Sequence, residues 1–484
     1  MRKQKNLQIT FGVIVANRGF FPDKLVEEGR KQILDRLDDL GYETVVLSEE
    51  ETEYGAVETR EDAKKCARLF KKNEDEIDGV IVTLPNFGDE KAIGDTIRES
   101  GLEVPVLVHA FPDELGQMNI ENRRDSFCGK MSACNNLTQY GIKFTTTDNH
   151  VLDVNSEGFK EEVDKFAGVC RIVDGVQGAR LGSIGARTAP FNTVRYSEKI
   201  LERNEVSVET IDLSEILGQT KALDESSSEV KSSLQEIQEY AETGSVPQDS
   251  LVKIAKLKWV LDRWVEENDL VATAIQCWSA IEEYYGVVPC TAMSMMSEDL
   301  FPSACEVDVM GALGMYILEL ASKKPAALTD FNNNYGEELD KLVTFHCSNF
   351  PASFFEEPEM NYQDILANDL GKDRCYGTLS GRIKPGPATF FRISTADTEG
   401  EIRSYLAEGE YTEDEIDTFG GYGVARIDNL QELMRHITEN GFEHHVAVTQ
   451  ETVGESIAEA LSKYLEWNVY FHSDRLRSFT NGGI

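Results

Sequence analysis

Residues 303–351 read SACEVDVMGALGMYILELASKKPAALTDFNNNYGEELDKLVTFHCSNFP. Three side chains in this stretch can bind a hard divalent cation: Glu306, Asp330 and His346. Glu306 opens an apolar run, residues 307–320, whose spacing predicts a helix. That puts Glu306 in the first turn, where the helix dipole and unpaired N–H groups favour a carboxylate. Asp330 ends the strand-like run AALTD, and His346 lies near the end of a second, KLVTFHC. Helix, strand, hairpin, strand is a short path that can bring three distant side chains to one point. Each residue also has an ordinary reading: a helix-start acid, a turn residue capping the asparagine run, a satisfied strand histidine. The chain has only seven histidines. Acids, an imidazole, asparagines and thiols crowded into an apolar setting make the stretch a candidate site.

Just upstream, residues 270–275 predict a strand that delivers Gln276, Cys277 and Trp278. Further back, RLGSIGARTAPFNTVRYSEKILERNEVSVETIDL begins after Ala179 and reads as strand, glycine loop, helix, strand. The loop Gly185, Ala186, Arg187, Thr188 either faces a polar ligand or is a βα turn that uses glycine for positive φ. Residues 223–247 are polar and predict an exposed helix and loop, and residues 251–266 predict an amphipathic helix. The start of the chain repeats the alternation, with strands at 7–15, 43–47, 79–84 and 104–108 and helices at 24–40 and 61–72. Alternation of this kind predicts mostly parallel, doubly wound sheets with ligands at the carboxyl ends of strands. Those ends carry Asn17 and Arg18, Pro85 and Asn86, and His109. No GxGxxG is present, so a dinucleotide is not indicated.

Downstream of Pro351 short strand-like runs alternate with Gly and Pro, as in GTLSGRIKPGPATFFRIS and GGYGVARI. They predict antiparallel β structure, a small barrel or sandwich. A helix at 430–440 and the strand-like EHHVAVT follow. Neighbouring residues on a strand face opposite ways, so one of His444 and His445 is expected to join a site. The expected architecture is two doubly wound parallel-sheet α/β domains, at 1–172 and 173–323, and a C-terminal β-rich, barrel-like domain at 324–484 that carries part of a metal site.

The chain of 484 residues has a net charge of −38, which repels nucleic acid and anionic membrane surfaces. Nine cysteines without a CxxC pattern predict reduced thiols and a cytoplasmic setting. The basic start MRKQK and one strand-length apolar run are read as neither a signal peptide nor a membrane span. No Walker A loop, GxSxG or HExxH occurs.

Several segments, in order, resemble the family of L-fucose isomerase and L-arabinose isomerase, in its shorter fucose-isomerase-like branch. They are IGARTAPFNTVRYSEKIL, QCW at 276–278, ACEVDVMGAL at 304–313, LTDFNNNYG at 328–336, FHCSNFP at 345–351, GRIKPGPATFFRIS at 381–394 and EHHVAVT at 443–449. The resemblance implies a divalent metal, Mn²⁺ or a similar ion, and aldose–ketose interconversion. It implies that Glu306 is metal ligand and catalytic base, and that Asp330 is second acidic ligand and proton-transfer partner. His445, matched to the second histidine of the arabinose-branch pair, becomes the late ligand. His346 matches a ligand of the arabinose branch. The implied substrate contacts are Arg18, His109, Arg187, Gln276, Trp278, Asn332 and His346. The family's site is completed by the first domain of a neighbouring subunit, here through residues 17–21 and His109. The expected assembly is a homo-oligomer, trimer or hexamer, with sites at subunit interfaces.

The chemistry fits. Aldose–ketose isomerisation moves a proton from C2 to C1, so weak C–H acids need a base and charge stabilisation. The expected substrate is a neutral aldose of the L-fucose or arabinose type, with a sulfonated hexose (sulfoquinovose to sulfofructose) as the second reading. A non-catalytic sugar-binding protein and a metal-dependent aldolase or lyase are the rivals from other classes. Arg18 and Arg187 are the cations placed to meet a sulfonate, whereas Arg382 and Lys384 are expected to pair with surface acids.

Overall fold

The structure, a computed structural model, describes residues 7–473; the basic start at residues 1–5 lies outside the described residues. The chain forms two compact units, one of residues 3–174 with 463–465 and the other built on residues 175–462.

The first unit holds a parallel sheet of β1 (Thr10–Val15), β2 (Glu43–Val46), β3 (Gly79–Leu84), β4 (Val106–Ala110) and β5 (Thr145–Thr146), in the order β2-β1-β3-β4-β5. Every residue of β3, GVIVTL, is buried, as a strand covered by helices on both faces requires. The helix Arg60–Lys72 begins with a capping box between Thr59 and Asp62. Strand order reverses between β1 and β3, and the loops at that edge are tied together. The Asn86 amide donates to Asn17 Oδ1 at 2.7 Å, and the Asn17 amide donates to Glu58 Oε2 at 2.8 Å.

Two candidate residues lie in this unit. Arg18 donates from Nε to the Gly88 carbonyl at 2.6 Å, pairs with Glu90, and lays its guanidinium over Phe87. Its charge is thus already matched by an acid. His109 requires a correction. The sequence expectation put it at the strand's ligand-facing end, but its ring is wholly buried with both nitrogens engaged. Nε2 bonds the Leu152 carbonyl at 2.8 Å and Nδ1 lies 2.9 Å from Thr83 Oγ1. A carbonyl only accepts, so Nε2 carries the proton and the ring is neutral.

The second unit begins with a parallel sheet of β6 (Arg180–Ile184), β7 (Ser207–Ile211), β8 (Ala272–Ile275) and β9 (Ser303–Cys305), ordered β7-β6-β8-β9. Nine strands follow: β10 (Ala326–Tyr335), β11 (Glu338–His346), β12 (Glu359–Tyr362), β13 (Tyr376–Arg382), β14 (Gly386–Ala396), β15 (Glu401–Tyr411), β16 (Gly421–Arg426), β17 (His445–Thr449) and β18 (Asn468–His472). Their order is β12-β13-β16-β11-β10-β17-β14-β15-β18, and an extra pairing of β15 with β16 closes a ring β16-β11-β10-β17-β14-β15. Closure removes free edges, and of the barrel or sandwich predicted, the barrel is the one built. It starts earlier than the change of texture at Pro351, because β10 and β11 belong to it.

The helix Val309–Ser322 is buried from Val309 to Ala321 and contacts β8, β10, β14 and β17. A helix apolar on all sides must sit in a core, and this one lies between the parallel sheet and the barrel. No helix among the described residues is long and apolar enough to cross a membrane.

Burial holds the His109 pKa down at about 4. A buried neutral histidine stabilises the fold above the unfolded pKa of about 6.5, and that stability is lost as pH falls towards the folded value. The urea midpoint of the first unit should therefore drop between pH 6.5 and 4, by a component on the order of 3 kcal/mol. Replacing His109→Gln should flatten that component; an unchanged pH profile in the variant would disprove the assignment.

Candidate functional site

Glu306 lies on a turn between β9 and the buried helix, with φ of 64°, and Val307 follows with φ of 60°. A β-branched residue in the left-handed region is a true outlier and carries strain of about 1–3 kcal/mol. Backbone bonds hold the turn, from Val307 N to Ile275 O at 3.2 Å and from Asp308 N to Cys305 O at 3.0 Å. This corrects the sequence expectation of Glu306 in the first helical turn. The helix starts at Val309, because two left-handed residues cannot continue into it, and Asp308 caps it by accepting from Gly311 N.

Asp330 also departs from expectation. Its strand does not end there but runs on to Tyr335, paired with β11 through an irregularity around Asn332. Asp330 therefore sits mid-strand, opposite His445 on one side and Phe345 on the other. Asn332 is exposed at the irregularity. His346 is the last residue of β11 and is buried, and His445 is the first residue of β17, only 1% exposed. His444 precedes the strand, so strand alternation does not act on it. Its Nε2 lies 3.7 Å from Asp330 Oδ1, which brings both histidines to the same acid.

These side chains converge. Ligand atoms of Glu306, His346 and His445 lie within 4.8 Å of one another, and so do those of Asp330, His444 and His445. His445 Nε2 is 3.1 Å from Glu306 Oε2 and 3.6 Å from Asp330 Oδ1. Glu306 Oε2 and Asp330 Oδ1 are buried and have no hydrogen-bond partner. Buried carboxylate oxygens left without donors, facing an imidazole, are the donor set of a hard divalent cation with one or two nitrogens. The residues present fit a Mn²⁺-class ion.

The electrostatics are set from behind. Asp308 Oδ2 accepts from Arg392 at 2.5 Å and from His445 Nδ1 at 2.8 Å. Burial opposes the Asp308 charge, but Arg392 and the His445 bond outweigh it and hold the carboxyl well below its usual range. Arg392 also meets Glu443, which accepts from Ser394. Because Nδ1 donates to Asp308, Nε2 of His445 keeps its lone pair for a cation. Burial likewise opposes the Glu306 charge, yet His445, His346 and the Trp278 indole together lower its pKa. Trp278 Nε1 donates to Glu306 Oε1 at 3.0 Å, leaving the other oxygen directed into the cluster. Phe191 packs on Trp278, His444 and His445 with ring centroids 5.9, 5.8 and 5.7 Å apart.

The remaining candidates serve the rim. Gln276 Oε1 accepts from Ala186 N at 2.9 Å and so braces the glycine loop. Arg187 is exposed on that loop and donates to Asn192 Oδ1 at 3.0 Å. Beside the cluster a cleft of about 900 Å³ is lined by Arg187, Arg195, Tyr196, Val307, Arg403 and Glu443, among others. Arg382 forms a two-point pair with Glu356, and Lys384 donates to the Ser353 carbonyl, so neither faces the cleft's ligand space. Asp308, Arg392, Glu443 and Phe191 were not anticipated. The available signal was a lone arginine inside the apolar run FFRIS, which has to find a buried acid.

Two family models and several named proteins match this chain. Residues 12–177 match the family model described as "Fucose/sulfoquinovose isomerase, N-terminal domain", and residues 344–472 match "L-fucose isomerase, C-terminal domain". A protein named sulfoquinovose isomerase from Alkalicoccus urumqiensis is 29% identical over 210 residues, 43% of this chain and 46% of that one. Its namesake from Priestia megaterium is 25% identical over 214 residues, 44% of this chain and 46% of the relative. In both matches the chain spans about half the length of the relative. A third namesake, from Clostridium sp. (strain MSTE9), is 25% identical over 360 residues, 72% of this chain and 77% of its own length. His346 and His445 fall inside the second matched segment, while Glu306 and Asp330 lie in the stretch that joins the two matches. With the N-terminal model matched before the C-terminal one, over most of the chain together, the chain belongs to the fucose-isomerase-like family.

Proposed function

We propose that this chain is a metal-dependent aldose–ketose isomerase whose substrate is a sulfonated hexose, interconverting sulfoquinovose and sulfofructose. The observation that carries the isomerase reading is the pair of buried, unpartnered oxygens, Glu306 Oε2 and Asp330 Oδ1, on either side of His445 Nε2. An ion held by Glu306, Asp330 and His445, with His346 beside them, would supply the positive charge that stabilises sugar oxygens as they become anionic. Glu306 is favoured in its ionised form, with Oε1 held by Trp278, and is the carboxylate that would take the proton from C2. Asp330, the second carboxylate, would serve the hydroxyl-proton transfer from O2 to O1. Asp308 fixes the tautomer of His445, and Phe191 covers the imidazoles and limits water.

A coupled ketose assay with added Mn²⁺ tests this reading. Chelation should abolish turnover and Mn²⁺ should restore it, while Glu306→Gln should lower kcat by about 10²–10⁴-fold. Near wild-type turnover in verified metal-free protein, or in the glutamine variant, would overturn the reading. Sugar binding without ketose formation would favour a binding protein.

The choice of substrate rests on the relatives and on charge. The sequence alone favoured a neutral aldose, but three relatives carry the name sulfoquinovose isomerase. Arg187, Arg195 and Arg403 line the cleft together with Glu198, Asp397, Glu399 and Glu443. They donate to neutral oxygens of Asn192, Asn440 and Gly441. Arg18, by contrast, is already paired with Glu90. A charge-assisted contact to a sulfonate is worth about 1.5–3 kcal/mol, roughly ten- to a hundredfold in KM. Arg187→Met should raise KM by that factor for sulfoquinovose and far less for glucose or its 6-deoxy analogue. Equal losses on charged and neutral sugars would mean that Arg187 reads hydroxyls.

The assembly follows the family expectation, a closed homo-oligomer, trimer or hexamer. In support, the first unit exposes Phe20, Leu115, Met118 and Ile120 at 79, 95, 46 and 91%, apolar side chains of the kind that interfaces cover. Sedimentation velocity should give an active trimer or hexamer; an active monomer refutes the assembly.

A further inference from the structure

The turn that carries Glu306 is closed by the bond from Asp308 N to Cys305 O at 3.0 Å, and its two central residues, Glu306 and Val307, have φ of 64° and 60°. Four residues with that bond and positive φ at both central positions follow the mirror-image pattern of a type I′ turn. Such turns are built from Gly, Asn and Asp, because a Cβ, and above all a branched one, is crowded in the left-handed region. The chain follows that rule elsewhere. The residue just past β6 is Gly185, with φ of 85°. Among the described residues, Val307 is the one β-branched residue with φ in this region, and 306–307 is the one adjacent pair of non-glycine residues there.

Local preference therefore opposes this backbone, and the contacts around it must hold it in place. Val307 N donates to Ile275 O at 3.2 Å, which fastens the turn to the end of β8, and Val309 N donates to Val307 O at 3.0 Å. The Val307 side chain is 4% exposed, on the wall of the cleft. The chain leaving β8 leads on to Trp278, whose indole holds Glu306 Oε1. Rotation of the backbone at Val307 would break the bond to Ile275 O. It would also re-aim Glu306, which now lies between the Trp278 indole and His445 Nε2, 3.1 Å from Oε2. A glycine in place of Val307 would sit in this turn without strain, yet glycine has further conformations open to it, with φ of either sign. A branched residue has few, and the surroundings select one of them.

We propose that Val307 is a positioning residue for the isomerisation: the strained valine restricts the turn to one conformation and so keeps the Glu306 carboxylate aimed between Trp278 and His445. The proposal rests on the isomerase reading above, in which Glu306 takes the proton from C2. Val307 touches no reacting atom and acts through Glu306. Folding stability is given up for aim, so relief of the strain should move stability and turnover in opposite senses.

Two variants of the full chain isolate the effect, since both lack the branched side chain: Val307→Gly and Val307→Ala. Glycine is unstrained at positive φ and alanine is not, so the glycine variant should melt above the alanine variant in calorimetry, by about 2 °C. Turnover in the coupled ketose assay with Mn²⁺ should run the other way. A misplaced group can cost about a hundredfold, so kcat of the glycine variant should fall about ten- to a hundredfold below that of the alanine variant, with KM little changed. Mn²⁺ binding, followed by the paramagnetic resonance of the free ion, should also be weaker with glycine, a readout that needs no turnover. Val307→Ile, which keeps the branch, should hold most of the wild-type kcat. If Val307 served packing alone, activity would follow stability. Equal kcat and equal Mn²⁺ affinity in the glycine and alanine variants would overturn the proposal. So would a glycine variant that melts below alanine or does not fold, because no strain would then be present to relieve. A wild-type chain that converts neither sulfoquinovose nor a neutral aldose overturns the isomerase reading and this proposal with it. An active wild type with the two variants in the wrong order overturns this proposal alone.

Discussion

One buried carboxylate ties the second unit together. Asp308 is fully buried and is held by three donors from three elements: Gly311 N in the helix it caps, Arg392 in β14 and His445 in β17. Two unit charges in a core survive only as a well-made pair, and removing one partner of such a pair costs about 3–5 kcal/mol. Helix, barrel and left-handed turn are therefore fixed against one another by the same atom pair that sets the imidazole's tautomer. The geometry of the carboxylate cluster is inherited from that lock more than from the carboxylates themselves.

The interior separates hard from soft donors along the same short stretch. Glu306 and Asp330 face His445, while Cys305 and Cys347, next to Glu306 and His346 in sequence, gather beside His346. The alternation of side chains at strand ends and the two positive φ angles produce this separation. Adjacent residues can thus serve opposite sides of one wall.

Much of the fold was legible because its signals are local. The buried run of β3 and the capped helix Arg60–Lys72 follow from hydrophobic period and cap chemistry. The site was legible only in part. Glu306, Asp330, His346 and His445 were picked out as a group, but their elements were misplaced where long-range constraints overrode local ones. Helical spacing from Val307 onwards said nothing of a turn that only the surrounding sheet and helix can hold. The asparagine run looked like a turn, yet pairing with β11 extends the strand through it. His109 was read as a ligand-facing residue because the end of a parallel strand is where ligands bind. The Leu152 carbonyl and the Thr83 hydroxyl, both remote in sequence, turn it into core. Arg392 and Asp308 escaped notice because a buried ion pair leaves no periodic trace in either segment.

The closing seam of the barrel has a consequence for the order in which the chain matures. The ring closed by β15 against β16 includes β17, the last of its strands in sequence, and β17 carries His445. During synthesis the parallel sheet of the first unit emerges early, and only residues 463–465 of that unit come late. Glu306 and Asp330, by contrast, must wait for nearly the whole chain before their imidazole partner exists. Non-local pairing of this kind is slow to form. An ion at the carboxylate cluster would consequently meet a finished protein, as a late tenant of a scaffold that buried charge and packing have already built.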